Sequence, residues 1–127
     1  HLFVPIETGP EPDHPKGFAE LLGHRLSSAY PKELTMENRI AARKGRVYLD
    51  PFRNGFAQTV VAPYSVRRFP GAPVSTPLSW DEVDPKLSPA KFNIGNFHER
   101  LAKGDPWKSF WKSRQPLDRA LEAVRAL

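Results

Sequence analysis

Cysteine is absent from the 127-residue sequence, and long apolar runs are absent too. Without thiols the chain forms no disulfide bond, binds no zinc through cysteine and performs no thiol catalysis, which is typical of proteins from a reducing cytosol. No apolar stretch approaches the ~20 residues that a membrane-spanning helix requires, and no signal peptide is recognisable. The sequence therefore predicts a cytoplasmic protein that is not attached to a membrane.

Acidic residues are scarce in one quarter of the chain. Residues 39–68 contain seven Lys or Arg side chains and a single acid, Asp50, whereas the rest of the chain has 12 Lys or Arg and 13 Asp or Glu. A lone carboxylate among cations is favourable in two roles, because Coulomb attraction rewards both. It is either the anchor of an ion pair, with Arg46 or Arg67 as partner, or a metal ligand in a site for phosphates.

Size and composition indicate one compact domain. A chain of 127 residues is long enough to bury a core, and its 39% hydrophobic and 26% charged residues are typical of a soluble protein. A pI of about 9.7 with clustered cations favours an anionic partner. The alternative is that the charge serves solubility alone.

Helix and strand signals near the N-terminus favour an α+β fold. Residues 1–6 form a short apolar run that is typical of a buried strand. Asp13 is a candidate N-cap for a helix that ends before Pro31. Thr35 is a candidate N-cap for a short second helix over residues 36–42.

A hairpin is predicted to carry the lone acid. Residues 46–50 alternate between the two faces of a strand, and one face would hold Arg46, Tyr48 and Asp50. Residues 54–55 (Asn-Gly) favour a tight turn, and residues 59–62 are rich in β-branched side chains. The two segments are expected to pair as a small antiparallel sheet that is packed with helices.

The C-terminal half of the chain is predicted to be extended first and helical later. Six prolines between Pro63 and Pro89 indicate a stiff, extended segment. Residues 80–83, 97–103 and the stretch after Pro116 suit short helices. Between them three aromatic side chains recur at helical spacing: Trp107, Phe110 and Trp111. This spacing favours packing in the core, and base stacking is the alternative use of the same rings.

Seven phrases are spread over nearly the whole chain: residues 1–6, 43–54, 59–67, 70–78, 80–83, 104–107 and 114–117. In this order and spacing they closely resemble the polymerase domain of bacterial ligase D. That domain is a member of the archaeo-eukaryotic primase superfamily used in non-homologous end joining. Several ordered phrases form a far more specific signal than one short motif.

The resemblance implies a primase-like fold and template-directed addition of nucleotides, often ribonucleotides, to a DNA 3′ end. It implies that Asp50 is catalytic, as the third of three carboxylates that hold Mn²⁺ or Mg²⁺. Such carboxylates suit a polymerase because hard divalent cations prefer oxygen ligands and offset negative charge on the reacting phosphates.

The resemblance also assigns residues to the binding of nucleotide and DNA: His1, Arg43, Arg46, Arg53, Ser65 and Arg67. Residues 64–67 match a phrase that contributes to binding the phosphates of the incoming nucleotide. Arginine suits this task because its planar fork directs two hydrogen bonds to phosphate oxygens. His1 matches a histidine near the same phosphates, and residues 43–46 match a mobile loop near the template. For Arg43 and Arg46 a solvated basic surface is the alternative.

An Asp-x-Asp pair, which supplies the other two carboxylates in the family, is absent from this sequence. We therefore expect the chain to be the C-terminal half of the domain, with the sheet and nucleotide site in residues 1–96 and a helical part in residues 97–127. Alone it is expected to be inactive. The expected partners are DNA ends, nucleoside triphosphates, the N-terminal half of the domain or a second copy, and also ligase and Ku. These partners imply a location at the bacterial nucleoid.

A second function remains open, because a basic surface does not by itself imply chemistry. The alternative is a non-catalytic module that binds or docks at DNA ends through its cations alone. A dependence on divalent metal would favour catalysis, whereas purely electrostatic binding is weakened by any salt.

Overall fold

The computed structural model describes residues 1–126, and its architecture is α+β. Helix α1 spans Asp13–Ala29, α2 spans Phe97–Ala102 and α3 spans Leu117–Arg125. Two short strands, β1 (Leu34–Thr35) and β2 (Val47–Tyr48), form a sheet. Single turns of 3-10 helix occur at Ile40–Arg43, Phe52–Asn54, Trp80–Glu82 and Phe110–Ser113.

The backbone divides into two compact units. Unit 1 consists of His1–Thr59 together with the segment from Gln115 onward, and unit 2 consists of Val60–Arg114. The last helix, α3, belongs to unit 1 with the N-terminal part of the chain. In unit 1, helix α1 packs against α3, β1 and the 3-10 helix Phe52–Asn54.

Helix α1 was predicted and is confirmed, with one change at its start. Pro12 occupies the N-cap position, and Asp13 lies in the first turn, where a carboxylate is favoured by the helix dipole. At the other end the Tyr30 N–H donates to the Leu26 carbonyl at 2.9 Å, and Pro31 prevents a further turn. Gly23 is the buried position of this helix, and a Cβ there would lie 3.0 Å from Sδ of Met36.

The sheet is parallel, so the prediction of an antiparallel hairpin is wrong. β2 pairs with β1, with Leu34 opposite Val47 and Thr35 opposite Tyr48. The Val47 N–H donates to the Glu33 carbonyl at 2.8 Å. After Asp50 the chain enters the 3-10 helix Phe52–Asn54 instead of a second strand, and residues 59–62 are not in a strand.

The segment between β1 and β2 contains less helix than the sequence predicts. Thr35 lies in β1, and its Oγ1 accepts a hydrogen bond from the Glu37 N–H at 3.1 Å, which makes a local turn instead of a helix N-cap. Helical structure is limited to Ile40–Arg43. It ends where expected, since Lys44 and Gly45 both have positive φ, at 51° and 78°.

The first residues form no strand, although their apolar run predicted one. The structure has a single parallel bridge between Ile6 and Gln115, supported by the Glu7 N–H, which donates to the Gln115 carbonyl at 3.0 Å. Residues 1–5 have no regular secondary structure. Both bridged residues belong to unit 1.

Antiparallel pairing is present in unit 2, but the proline-rich segment is extended only in part, since turns at 63–64, 70–71 and 85–86 and the 3-10 helix Trp80–Glu82 interrupt it. Val66 is bridged to Val74, and Pro73 is bridged to Asn93. Gly71, with φ of 81°, lies in the turn between Val66 and Val74. Helix α2 and the 3-10 helix Trp80–Glu82 lie close to the predicted positions.

The core is small for the length of the chain. Apart from prolines, Val74, Leu117 and Val124 are the buried apolar side chains among residues 1–126, and no large side chain in that range is fully buried. The accessible surface is 9925 Å², compared with roughly 6,800 Å² for one folded domain of this mass and roughly 8,200 Å² for two separate domains that share it. Large apolar side chains therefore stay in contact with water. Among the described residues no helix has the length and hydropathy needed to cross a bilayer.

Candidate functional site

Asp50 lies directly after the sheet, two residues beyond the end of β2. Its Oδ1 accepts a hydrogen bond from the Phe52 N–H at 3.0 Å, which begins the 3-10 helix Phe52–Asn54. The side chain is 36% exposed. The backbone turn thus fixes one oxygen of the carboxylate, and the group remains accessible to a ligand.

The second oxygen of Asp50 faces a cation from its own turn. Oδ2 lies 3.8 Å from Nε of Arg53, an exposed pair that contributes little to stability. This partner differs from Arg46 or Arg67, which the ion-pair alternative named. Among residues 1–126 no group of three His, Asp or Glu side chains is placed to hold a metal. Asp50 therefore offers one ligand and does not form a metal centre with the other described residues.

Arg43 and Arg46 both bind backbone carbonyls in unit 1. Nε of Arg43 donates to the Glu37 carbonyl at 2.9 Å, and its guanidinium lies 3.8 Å from the centroid of the Tyr48 ring. Nε of Arg46 donates to the Arg43 carbonyl at 2.9 Å. These contacts stabilise the loop between the strands, but they do not neutralise the guanidinium charge, because carbonyls carry no net charge.

Ser65 and Arg67 lie in unit 2 on the segment that pairs with residues 73–75. The Arg67 N–H donates to the Pro73 carbonyl at 2.7 Å, and the Ser65 hydroxyl donates to the Ala62 carbonyl at 2.6 Å. Within residues 1–126 the guanidinium of Arg67 has no hydrogen-bond or ion-pair partner, and its Cζ lies 5.6 Å from the centroid of the Phe69 ring. The backbone of this residue is fixed and its charged end is available.

The predicted site residues fall into two groups. Unit 1 holds His1, Arg43, Arg46, Asp50 and Arg53, and unit 2 holds Ser65 and Arg67. Asp50 and Arg53 are in direct contact, and the Arg46 side chain bonds to the Arg43 backbone. His1 is exposed and makes an edge contact with the Phe3 ring at 6.2 Å.

Sequence reasoning missed a contact that holds the Ser65–Arg67 segment. The Tyr64 hydroxyl donates to Oδ1 of Asp105, and the Trp107 N–H donates to the same oxygen at 2.8 Å. Tyr64 has φ of 64°, a left-handed conformation that is strained for a bulky residue. The two residues are 41 positions apart in the sequence, and no sequence signal identified the tyrosine as the partner of Asp105.

The Tyr64 contact shifts the titration of both groups. Partial burial, together with the Asp105 carboxylate, raises the pKa of Tyr64 to about 12. The Tyr64 hydroxyl and the Trp107 N–H lower the pKa of Asp105. Because the tyrosine pKa is higher in the folded chain, the contact contributes stability that is fully present below about pH 10 and is lost as the pH rises towards 12.

Replacing Tyr64 by Phe is therefore expected to remove the last step of the alkaline titration. Absorbance of the phenolate, followed from neutral pH upward, should show a step near pH 12 in the parent chain. The step should be absent from Tyr64→Phe and should move to lower pH in Asp105→Asn, since the negative charge that opposes ionisation is gone. An unchanged titration in both variants would contradict the contact.

A second contact within unit 2 is a partly buried ion pair between Arg100 and Glu82. The Arg100 side chain is 7% exposed, and its NH2 group lies 2.9 Å from Oε2 of Glu82. The same oxygen accepts a hydrogen bond from the Ser79 N–H at 2.9 Å, which closes a capping box on the 3-10 helix Trp80–Glu82. The Ser79 N–H and Arg100 lower the pKa of Glu82. The two charges pair within the unit, although Nε of Arg100 is buried without a hydrogen-bond partner among the described residues.

Comparison with protein families gives a match over most of the chain. The family described as LigD, primase-polymerase domain, matches residues 1–107. The matched range includes every candidate site residue named above.

Individual relatives agree with the family match. The chain is 32% identical to the Multifunctional non-homologous end joining protein LigD of Pseudomonas aeruginosa over 95% of its length. It is 32% identical to the Bifunctional non-homologous end joining protein LigD of Bacillus subtilis over 97%. The matched parts are 15% and 20% of those two relatives, so the chain spans a fifth or less of their length.

Proposed function

Because the chain belongs to the LigD primase-polymerase domain family, we propose that it forms part of a template-directed nucleotidyltransferase that acts at DNA ends in non-homologous end joining. The observation that carries the proposal is the position of Asp50 within the matched range. Its carboxylate is accessible, it follows directly on the sheet, and it is the one acid in a basic quarter of the chain. Its partners on this proposal are DNA ends and nucleoside triphosphates, with ligase and Ku in the same repair pathway at the nucleoid.

Asp50 is proposed to supply one oxygen ligand to Mn²⁺ or Mg²⁺. The described residues bring no second or third acid to it, so the remaining carboxylates would come from outside these 127 residues. A bound divalent cation would offset charge on the reacting phosphates. The turn at Phe52 holds the Asp50 carboxylate in a fixed orientation, which lowers the entropic cost of binding a cation.

Some of the arginines are proposed to contact phosphates directly, and others to attract them through their positive charge. Arg67 is the strongest candidate, because its backbone is held by pairing and its guanidinium is available. Arg43 and Arg46 are held by carbonyls and would act mainly through their positive charge. Arg53 faces Asp50, and Ser65 and His1 complete the proposed set.

Replacing Arg67 by Ala is expected to remove about one phosphate contact. The slope of log K for duplex DNA against log salt concentration should fall by up to about 0.9, with little dependence on DNA sequence. Arg25→Ala is the matched control, since Arg25 is an exposed arginine on α1 outside the basic quarter. Equal slopes for the parent chain and Arg67→Ala would contradict the proposal that Arg67 contacts a phosphate.

A non-catalytic DNA-end module is the second candidate function. It is favoured by the lack of an acidic cluster within residues 1–126. Titration with Mn²⁺ at constant ionic strength separates the two. A metal site that includes Asp50 gives saturable binding that Asp50→Asn weakens, whereas a purely electrostatic module responds only to total salt.

A further inference from the structure

The aromatic segment of unit 2 differs from its sequence-based prediction. Helical spacing favoured packing of Trp107, Phe110 and Trp111 in the core, but residues 106–109 form turns and the regular part is a 3-10 helix at Phe110–Ser113. Trp107 and Phe110 are half-buried, whereas Trp111 is 68% exposed. The expectation of core packing is therefore wrong for Trp111, and an exposed indole requires another explanation.

The rings of this segment form a ladder that holds the exposed indole in place. Phe110 stacks on Trp107 with a centroid separation of 4.6 Å and an angle of 13°. Trp111 meets Phe110 edge-on at 5.1 Å. At the start of the ladder Asp105 accepts the Trp107 N–H, and at its end the Ser113 hydroxyl donates to the Phe110 carbonyl at 2.8 Å. The Phe110 contact and the Arg114 guanidinium restrict the orientation of the Trp111 ring, which still leaves most of its surface exposed to a ligand.

Trp111 lies in a segment that is rich in positive charge. The Arg114 guanidinium lies 5.4 Å from the centroid of the Trp111 ring. Lys108 and Lys112 are exposed on the same short segment, and residues 103–114 contain four cations and one acid, Asp105. That acid is already bonded to Tyr64 and to the Trp107 backbone. These donors are neutral and leave the charge of Asp105 in place, so four cations and one acid give the segment a net charge of +3.

We propose that Trp111, with Lys108, Lys112 and Arg114, forms a stacking surface for single-stranded DNA. Aromatic faces bind unpaired bases without sequence preference, and flanking cations follow the phosphate backbone. Lysine is depleted at the centres of protein interfaces, so a rim of this composition fits a polyanion better than a protein partner. The surface lies outside the predicted site residues and does not depend on metal or nucleotide.

Trp80 supplies a matched control. It is 78% exposed, also within unit 2, but the two residues that follow it are Asp81 and Glu82. Glu82 pairs with Arg100, so Asp81 is the exposed acid beside Trp80, and its negative charge should repel a phosphate backbone. If exposure alone caused binding, the two tryptophans would behave alike.

The test measures binding of a single-stranded oligodeoxythymidine to the full chain, without metal or nucleotide, by fluorescence anisotropy of the labelled strand. Trp111→Ala should weaken affinity about tenfold, the effect of losing one stacked base, and Trp111→Phe should retain most of it. Trp80→Ala should change affinity less than twofold. Lys112→Gln should lower the salt slope by about 0.7, the value for one contact to a single strand.

Two outcomes would overturn the proposal. The first is equal affinity of the parent chain and Trp111→Ala, with far-UV circular dichroism showing that both are folded. The second is an equal loss in Trp80→Ala. A blunt duplex arm should show no effect of Trp111→Ala, because a duplex offers no unpaired base for stacking. Because the assay contains no metal, loss of the proposed catalytic role of Asp50 would leave its outcome unchanged.

Discussion

Replacing Asp50 by Asn in a complete polymerase domain is expected to abolish nucleotide addition and to leave DNA binding intact. The substitution removes the negative charge that a divalent cation requires. It preserves the local fold, because the Asn oxygen can still accept the Phe52 N–H that begins the 3-10 helix. Primer extension and DNA affinity should be measured on the same preparation. We expect turnover to fall at least a hundredfold, whereas the dissociation constant for DNA should change less than about twofold.

Asp84 provides the control for this experiment. It is an exposed acid whose Oδ1 accepts the Lys86 N–H at 2.6 Å, so it makes the same kind of turn as Asp50. Asp84→Asn should retain full activity. If Asp50→Asn keeps a tenth or more of the parent rate, the carboxylate of Asp50 is a structural group that pairs with Arg53.

The isolated 127-residue chain is expected to be marginally stable and to associate with a partner that covers its apolar surface. Ile40 and Phe56 are each 80% exposed, and apart from prolines the buried apolar core among residues 1–126 consists of Val74, Leu117 and Val124. A typical domain of this size unfolds with a urea slope of about 1–3 kcal/mol/M, since that slope follows the surface exposed on unfolding. The isolated chain should give less than about 1 kcal/mol/M.

Addition of the N-terminal half of the domain, as a separate polypeptide, should steepen the urea transition and give a 1:1 complex in sedimentation. A second copy of the chain is the other expected partner, and a concentration-dependent dimer would identify it. A steep transition together with a strictly monomeric particle that binds no apolar dye would show instead that these 127 residues form a self-sufficient domain.

Local signals in the sequence were sufficient for the three α-helices, but not for the helix predicted over residues 36–42. Asp13 and Pro31 bracket α1, and Pro116 precedes α3, because a proline restricts the backbone whatever the rest of the chain does. The 3-10 helix ends at Arg43, followed by Lys44 and Gly45 with positive φ, a conformation that glycine adopts without a steric penalty.

Local signals in the sequence did not predict how the strands pair. Residues 46–50 alternate, but β2 is only two residues long and Val47 is 62% exposed. Its partner is β1, which the helix signal at Thr35 concealed. The choice between a parallel partner before it and an antiparallel partner after it depends on long-range packing, which alternation does not encode.

The candidate site was located by resemblance more than by chemistry. Charge counting identified Asp50, but an ion pair and a metal ligand have the same sequence signature. The contact between Tyr64 and Asp105 spans 41 positions in sequence and has no short motif, so sequence reasoning had no signal for it. The exposure of Trp111 was also not predictable from the sequence, because a 3-10 helix presents its side chains differently from the expected α-helix.

Reconstitution of primer extension tests the central claim most directly. The 127-residue chain is assayed with a recessed DNA duplex, nucleoside triphosphates and Mn²⁺, with and without a separately produced N-terminal half that carries the Asp-x-Asp pair. The account predicts no extension by the chain alone and template-directed extension by the mixture, lost again with Asp50→Asn. Robust extension by the chain alone would contradict it.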